Sequence, residues 1–183
     1  MLALHRSVTM LLLLSLLQAC KEPLRAKDGT IFHTPADYNE YIISRQTKVI
    51  RNVMDLFKRM ETSPDTALTL LDAYSKVTDT AISDIKGMPP FRTDSAFRDA
   101  AIQSFIFYKS LSNNYYRRAL LRRTGKNGGD EEEANKLLDE MEKIRREEEQ
   151  LDKNLHKAQN EFARKYDMKM RPSDIQKEIE KKN

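Results

Sequence analysis

The chain has 183 residues, of which 33% are charged, and its formal net charge is +4 at pH 7. Because this charge is small for the length and follows no single face as a basic stripe, we predict no nucleic-acid partner. With one cysteine, the chain can form no intramolecular disulfide. Valine and isoleucine do not alternate with polar residues as they would in strands, so we predict an all-α protein.

A short apolar leader opens the chain. Residues 10–17 are mostly leucine, and His5 and Arg6 precede them. A helix that spans a bilayer needs about 20 apolar residues, and this run is much shorter. It is typical of a secretory signal peptide.

The leader ends at the cysteine. Residues 17–20, Leu-Gln-Ala-Cys, resemble the lipobox of bacterial lipoproteins. The resemblance implies that residues 1–19 are a cleaved signal peptide and that Cys20 carries a lipid anchor, for which two or more acyl chains give stable attachment. In such lipoproteins a residue other than Asp after the cysteine, here Lys21, is compatible with the outer membrane, facing the periplasm or the cell surface. The alternative is an ordinary signal peptide with a chance cysteine.

Four helices are predicted after an extended tether over residues 20–33. The first begins with Thr-Pro-Ala-Asp at 34–37, which places Thr at the N-cap, Pro at the first helical position and an acid three residues after the cap. The predicted helices run from Thr34 to the Glu61–Pro64 joint, from Ser63 to the Gly87–Pro90 break, from about Asp94 or Ser95 to about Arg123, and from about Asp130 to about Tyr166.

Each predicted helix has an apolar stripe at helical spacing. The stripe of the third helix ends with Leu111, Tyr115 and Ala119. Amphipathic helices with short joints can bury their stripes only against one another, so we predict an up-down-up-down four-helix bundle over residues 34–167. The stripe of the fourth helix is Leu137, Met141, Ile144, Leu151, Leu155, Ala158 and Phe162.

A basic C-terminal tail is predicted over residues 168–183. It either adheres to anionic lipid headgroups or remains solvated.

The joints alternate between the two ends of such a bundle. The tether, the Gly87–Pro90 loop and the C-terminal end share one end, the proximal pole, which would face the membrane. The Gly-rich turn at 125–129 shares the distal pole with the Glu61–Pro64 joint. At 1.5 Å per residue the first helix is about 40 Å long and the fourth about 55 Å. We therefore expect the third and fourth helices to project at the distal pole.

The distal end of the third helix is rich in tyrosine and arginine. Arginine offers bidentate contacts to carboxylates and phosphates, and tyrosine offers a stacking face, so this tip is a candidate surface for a protein or an anionic glycan. Alternatively, the arginines and the acidic run 130–133 complement the two helix dipoles and face each other across the turn. The candidate residues are Tyr115, Tyr116, Arg117, Arg118, Arg122 and Arg123.

Polar residues interrupt the apolar stripes at similar heights. Gln46, Thr78 and Tyr108 are expected to form a polar layer inside the bundle, and Glu148 occupies a seam position of the fourth helix. Such a layer either lines a small binding site or fixes the register of the helices.

Catalytic signatures are not found. No nucleophile with a base, phosphate-binding glycine loop or metal-ligand cluster is present in the sequence, so we predict neither an enzyme nor a metal or cofactor site. His33, which precedes the first helix, and His156, on a flank of the fourth helix, are expected to be exposed. Neighbouring acids such as those at 147–149 point in different directions and cannot converge on one substrate atom.

A family resemblance rests on residues 38–42, Tyr-Asn-Glu-Tyr-Ile, together with Gln46 and Val49. Over residues 34–120 the chain resembles helical-bundle lipoproteins of bacterial outer membranes, including a leptospiral-type family of surface proteins. The resemblance implies an envelope protein and carries over no catalytic residue. We therefore predict a lipid-anchored, non-catalytic binding or scaffolding module that presents the tip to a partner. The alternative is a carrier with a small-ligand pocket inside the bundle.

Overall fold

The structure is a computed structural model that describes residues 23–126 and 131–170. It contains four helical rods: α1 (Pro35–Thr62), α2 (Pro64–Lys86), a third rod and α5 (Glu131–Lys165). The third rod consists of α3 (Ala96–Leu111), a π-helical turn (Ser112–Tyr116) and α4 (Arg117–Arg123). The predicted all-α fold is confirmed. Cys20, the rest of the leader and the tail from residue 171 lie outside the described residues.

The start of α1 is the predicted one. Thr34 accepts a hydrogen bond from the Asp37 amide at 3.1 Å, and the Asp37 carboxylate accepts one from the Thr34 amide at 2.9 Å. This reciprocal capping box satisfies two of the amides that the first turn of a helix leaves free. The hydrogen bond from the Thr34 backbone amide holds the pKa of the Asp37 carboxyl below its ordinary value.

Consecutive rods run antiparallel. Along α2 and the third rod, Asp79 pairs with Lys109 and Asp72 pairs with Arg117, so the residue number falls on one rod as it rises on the other. The third rod and α5 follow the same rule, since Tyr108 contacts Glu148 and Arg118 contacts Glu140. This is the pairing of an up-down-up-down bundle, in which α3 contacts α1, α2 and α5.

The core has a proximal and a distal part. The proximal part contains Ile42, Ile85 and Phe105, and the distal part contains Leu56, Leu71 and Leu120. Tyr108 is half-buried and contacts both parts. The middle of the bundle is therefore the level at which its polar residues meet the core.

The tether predicted over residues 20–33 is shorter than expected. Leu24–Arg25 (β1) and Ile31–Phe32 (β2) form an antiparallel hairpin, and Phe32 is buried in the proximal core. The Lys27 amide donates to the Gly87 carbonyl at 3.0 Å, which fastens the hairpin turn to the end of α2. Residues 24–32 are thus part of the folded domain. The hairpin is favoured because it buries the Phe32 side chain, which an extended tether would leave in water.

A charged and aromatic network also holds this hairpin. The Tyr41 hydroxyl donates to Asp28 at 2.7 Å, and the Arg45 guanidinium lies 3.4 Å from the centre of the Tyr41 ring. Arg45 also pairs with Asp84 of α2 at 3.1 Å. Two helices and the hairpin turn are therefore joined through one arginine, in a cation–π and ion-pair arrangement.

Seven aromatic rings surround the proximal end of the core. Phe162 of α5 lies at their centre, with its ring centroid between 4.8 and 5.7 Å from those of Tyr38, Phe91, Phe97 and Tyr166. Edge-to-face and offset pairs at these distances add to the stabilisation from burial. We refer to these residues as the proximal aromatic cluster: Phe32, Tyr38, Tyr41, Phe91, Phe97, Phe162 and Tyr166.

The third rod does not project at the distal pole, contrary to the prediction. Arg123 donates to the Glu61 carbonyl at 3.3 Å, and Lys126 pairs with Asp65 at 2.8 Å. These contacts hold the end of the rod level with the joint between α1 and α2. α5 is longer than the other rods, and its last turns extend along the proximal pole. Phe162, in these turns, is buried there.

Candidate functional site

The arginines of the predicted tip are already used within the protein. Arg117 pairs with Asp72 of α2 at 2.5 Å, and Arg118 lies between Glu133 and Glu140 of α5. Arg123 binds the Glu61 carbonyl, and Arg122 also has an interaction partner. The contact of Arg118 with Glu133 confirms that the basic and acidic runs face each other across the turn. The arginines thus support the alternative in which the tip is held by charge pairs within the protein and is not a free binding surface.

The tyrosines of the tip point differently from the prediction. The stripe was expected to continue through Tyr115 and Ala119, but Tyr116 and Leu120 are the buried residues. The π-helical turn explains this shift, because it inserts one residue and turns the following rod by about 100° relative to an unbroken α-helix. Tyr116 packs edge-on against Phe57 of α1, with ring centroids 5.3 Å apart, and is not available to a partner.

The predicted polar layer does not form as one site. Thr78 is buried, but its hydroxyl donates to the Tyr74 carbonyl of its own helix at 3.2 Å. Gln46 is partly exposed on α1. Tyr108 instead donates to Glu148 of α5 at 3.0 Å. The sequence analysis correctly predicted that Tyr108 and Glu148 lie on interior seams. It wrongly grouped Tyr108 with Gln46 of α1 and Thr78 of α2, because the hydrogen-bond partner of Tyr108 is on α5.

An acidic pair lies on the face of α5 next to Tyr108. Asp152 follows Glu148 by one turn, and Ser104 precedes Tyr108 by one turn on the antiparallel rod, so Ser104 and Asp152 lie at the same level of the bundle. Ser104 is 2% exposed, and its hydroxyl has no hydrogen-bond partner among the described residues. Burial raises the pKa of Asp152, and the pKa of Tyr108 is raised mainly by burial and then by Asp152. These groups are a polar patch that the bundle leaves incompletely paired.

We expect Asp152→Asn to raise the Tm at pH 7. In the folded state the Asp152 carboxyl has a pKa above its ordinary 3.8, so stability is lost as the pH rises through that folded pKa. Asparagine cannot ionise and avoids this loss. The gain in Tm should shrink toward zero as the pH falls below the ordinary pKa, where the carboxyl is protonated in both the folded and the unfolded state.

Thermal unfolding followed by circular dichroism at a series of pH values measures this effect. Asp139→Asn, at an exposed position of α5, is the matched control and should leave the Tm unchanged. A wild-type protein that is more stable than Asp152→Asn at pH 7 would contradict the expectation.

The faces of α1 and α5 meet at the proximal pole and part toward the distal pole. Asn39 accepts a hydrogen bond from Gln159 at 2.8 Å, and the Tyr38 and Phe162 rings stack beside them. Five helical turns further, Phe57 lies on the same face of α1 as Asn39, and Met141 lies on the same face of α5 as Gln159. Their side chains are 47% and 46% exposed. The two helices therefore do not cover each other at this level.

From the parting of these faces we infer a groove between α1 and α5. Phe57 lines one side, and Met141 with the 58% exposed Leu138 lines the other. Gln159, Asp152, Glu148 and Met141 follow one another along one face of α5. They are separated by seven, four and seven residues in that order. The α1–α5 groove is therefore apolar toward the distal pole and acidic toward the middle of the bundle. Periodicity placed Met141 in the core, and no sequence signal indicated that α1 would fail to cover it.

Other candidate chemistry is limited. His33 is exposed, and the exposed ring of His156 lies 3.0 Å from the Asp152 carbonyl of its own helix. The described part of the chain holds no cluster of three or more His, Cys, Asp or Glu side chains that could bind a metal ion. None of the helices in residues 23–126 and 131–170 combines the length and apolar character needed to cross a membrane.

The α1–α5 groove and the polar patch beside it are thus two places in the described part of the bundle where exposed apolar side chains or a buried hydroxyl lack partners within the protein. Comparison with known proteins adds no assignment to them: no protein-family model, curated protein or solved structure significantly matches the chain.

Proposed function

We propose that this protein is a lipid-anchored, non-catalytic binding module of the bacterial envelope, whose binding surface is the α1–α5 groove. The observation that carries the proposal is the exposure of Phe57, Leu138 and Met141 at one end of a face whose next residues, two and three helical turns along α5, are the half-buried acids Glu148 and Asp152. Apolar side chains next to partly desolvated carboxylates favour a partner that supplies apolar contacts and a positive charge together.

An amphipathic protein segment with a lysine or arginine has this chemistry. A helix laid in a groove buries its apolar side chains at helical spacing, and a basic residue two or three turns further along that helix can meet the carboxylates. An anionic glycan, the other partner class predicted from the sequence, is disfavoured because Glu148 and Asp152 would repel it. The tip arginines, which would attract it, are paired with Asp72, Glu133 and Glu140.

The proposal is tested with short, fluorescently labelled amphipathic peptides of two kinds, one built from Leu and Lys and one from Leu and Glu. We expect the Leu/Lys peptide to bind, as followed by fluorescence anisotropy, and the Leu/Glu peptide not to bind. The double variant Glu148→Gln/Asp152→Asn should weaken binding about tenfold, because it removes both charges that face the peptide.

A matched control separates the groove from the overall acidity of α5. Glu147→Gln/Glu149→Gln removes the same charge from exposed neighbouring positions of the same helix. Affinity should be nearly unchanged in this variant. An equal loss in both double variants, or a preference for the Leu/Glu peptide, would overturn the assignment of the groove as the binding surface.

A small-ligand carrier is the second candidate function, and Ser104 favours it. A buried hydroxyl without a partner costs stability unless something accepts or donates a hydrogen bond there. A polar ligand that reaches the patch of Ser104, Tyr108 and Asp152 from the groove would satisfy it. Native mass spectrometry of the freshly purified protein distinguishes the two candidates, since a carrier retains a small molecule of defined mass.

The lipid anchor rests on the lipobox resemblance of residues 17–20. Expression in a bacterium that is fed radioactive palmitate should label the protein, and Cys20→Ser should abolish the label. Retention of the label in Cys20→Ser would contradict the anchor and leave the groove assignment intact.

A further inference from the structure

The proximal pole carries a set of exposed cations. Lys27 lies in the hairpin turn, Lys86 at the end of α2, Arg92 in the loop that precedes α3, and Lys169 after α5. Three contacts bring these segments together: Lys27 to Gly87, Tyr166 to Phe91 and Lys165 to Asp94. The four cations therefore lie at one end of the bundle, and none of them forms an ion pair with another described residue.

The acids of the same pole are largely occupied. Asp28 accepts hydrogen bonds from Thr30 and Tyr41, and these lower its pKa together with the charge of Arg45. Asp37 caps α1, and Asp94 pairs with Lys165 at 2.7 Å. Asp167, Glu40 and Glu161 are exposed carboxylates without an ion pair to another described residue. Glu40 and Glu161 lie at least one turn inside α1 and α5, whereas the four cations lie in the loops and at the end of α2. The loops at this end therefore present a net positive charge.

A strained turn holds Arg92 outward. Phe91 and Asp94 exchange two backbone hydrogen bonds of 2.9 Å, and the two residues between them have positive φ, 47° at Arg92 and 76° at Thr93. Such turns normally use Asn and Gly, and a β-branched residue at positive φ is an outlier that costs about 1–3 kcal/mol. Strain of this kind is retained mainly where a residue must be presented for a function. Here Phe91 enters the core and Arg92 is left exposed above the Phe91 and Tyr166 rings.

The proximal pole is also the end from which the chain leads to Cys20. Three residues separate Cys20 from Leu24, where the hairpin begins, so the two Cα atoms are at most about 15 Å apart. The hairpin is fastened to the bundle through Lys27 and Asp28 and cannot act as a long spacer. If Cys20 is inserted in a bilayer, this pole is held close to the headgroups.

We propose that the proximal pole is a membrane-contacting face that binds anionic phospholipid headgroups through Lys27, Lys86, Arg92 and Lys169. This rests on the Cys20 anchor of the proposed function, but it adds a second contact that acts without the lipid. The bundle then stands upright on the membrane with the α1–α5 groove running away from it. A basic residue next to an anionic surface contributes about a factor of five to membrane partitioning.

The test uses the mature chain, residues 20–183, with Cys20→Ser, so that no acyl chain contributes. Co-sedimentation is measured with phosphatidylcholine vesicles and with vesicles in which a third of the lipid is phosphatidylglycerol. We expect binding to the anionic vesicles alone, and weaker binding as NaCl rises. The triple variant Lys27→Gln/Arg92→Gln/Lys169→Gln should reduce the partition coefficient by about ten- to hundredfold.

The control triple variant, Lys48→Gln/Lys143→Gln/Arg146→Gln, removes the same charge from exposed positions away from this pole. It should partition within about twofold of the parent. Equal losses in the two triple variants, or no binding of the parent to anionic vesicles, would overturn the proposal. Because every protein in this assay lacks the lipid, that outcome is independent of the palmitate experiment, which tests the anchor itself.

Discussion

Phe162→Ala is expected to lower the free energy of unfolding by about 3–5 kcal/mol, the usual cost of removing a buried aromatic ring. Phe162 is 2% exposed, and its ring contacts four others at the proximal pole. The loss is large because those rings come from α1, the Phe91 loop, α3 and the end of α5, which cannot all move inward to fill one space. A cavity therefore remains, and the neighbouring rings lose contacts on that side.

Urea unfolding followed by circular dichroism measures this loss. Met141→Ala is the control, since Met141 is half-exposed in the α1–α5 groove and should cost less than about 1 kcal/mol. The Phe162→Ala variant should also release the hairpin, seen as faster proteolysis after Arg25 or Lys27. If the two substitutions cost the same, α5 is not anchored through the proximal aromatic cluster.

Deletion of Asn114 is expected to be tolerated, with a change in stability of less than about 1 kcal/mol, although it shortens the third rod within the bundle. Asn114 is an exposed residue of the π-helical turn. Removing one residue from such a turn restores a regular α-helix and leaves Tyr116 and Leu120 on the buried face. The contacts of α4 with the rest of the bundle are then kept.

Deletion of Gln103, also exposed but within the regular helix α3, is the matched comparison. It rotates the helix on one side of the deletion by about 100°, so Phe105 and Tyr108 can no longer occupy the core together with Phe97 and Ala101. We expect a loss of at least about 4 kcal/mol, or a chain that does not fold. Chemical denaturation of both deletions decides the point, and an Asn114 deletion as damaging as the Gln103 deletion would show that the π turn does not set the helix phase.

Features that depend on neighbouring residues were predicted from the sequence. The Thr34–Asp37 capping box, the joint at Ser63 and Pro64, and the end of α5 near Tyr166 were all found close to the predicted positions. Caps and breaks act through hydrogen bonds that span three or four residues, so their causes are written in consecutive positions. The all-α bundle followed from the apolar stripes for the same reason.

The candidate site was predicted only in fragments. Tyr108 and Glu148 were correctly placed on interior seams, but the hydrogen bond between them depends on which helices are neighbours. For the tip, the sequence left open a free binding surface or arginines that face the acidic run 130–133. It did not indicate that Asp72 and Glu140, as well as Glu133, would pair with these arginines from two other helices. Charge pairing across a bundle depends on helix height and rotation, and one sequence constrains both weakly.

The helices, their boundaries and their antiparallel order could be predicted from the sequence, because hydrophobic periodicity, capping and short joints are local features. The packing of the chain as a whole was needed to place residues 24–32 on the bundle, since Phe32 is stabilised by Tyr38 and Tyr41 of another element. It also decided the π turn, where packing of Tyr116 and Leu120 outweighed regular helical hydrogen bonding. The opening of the α1–α5 groove follows from the same cause: α3 contacts all three other rods, and the proximal rings hold α1 and α5 together at one end only.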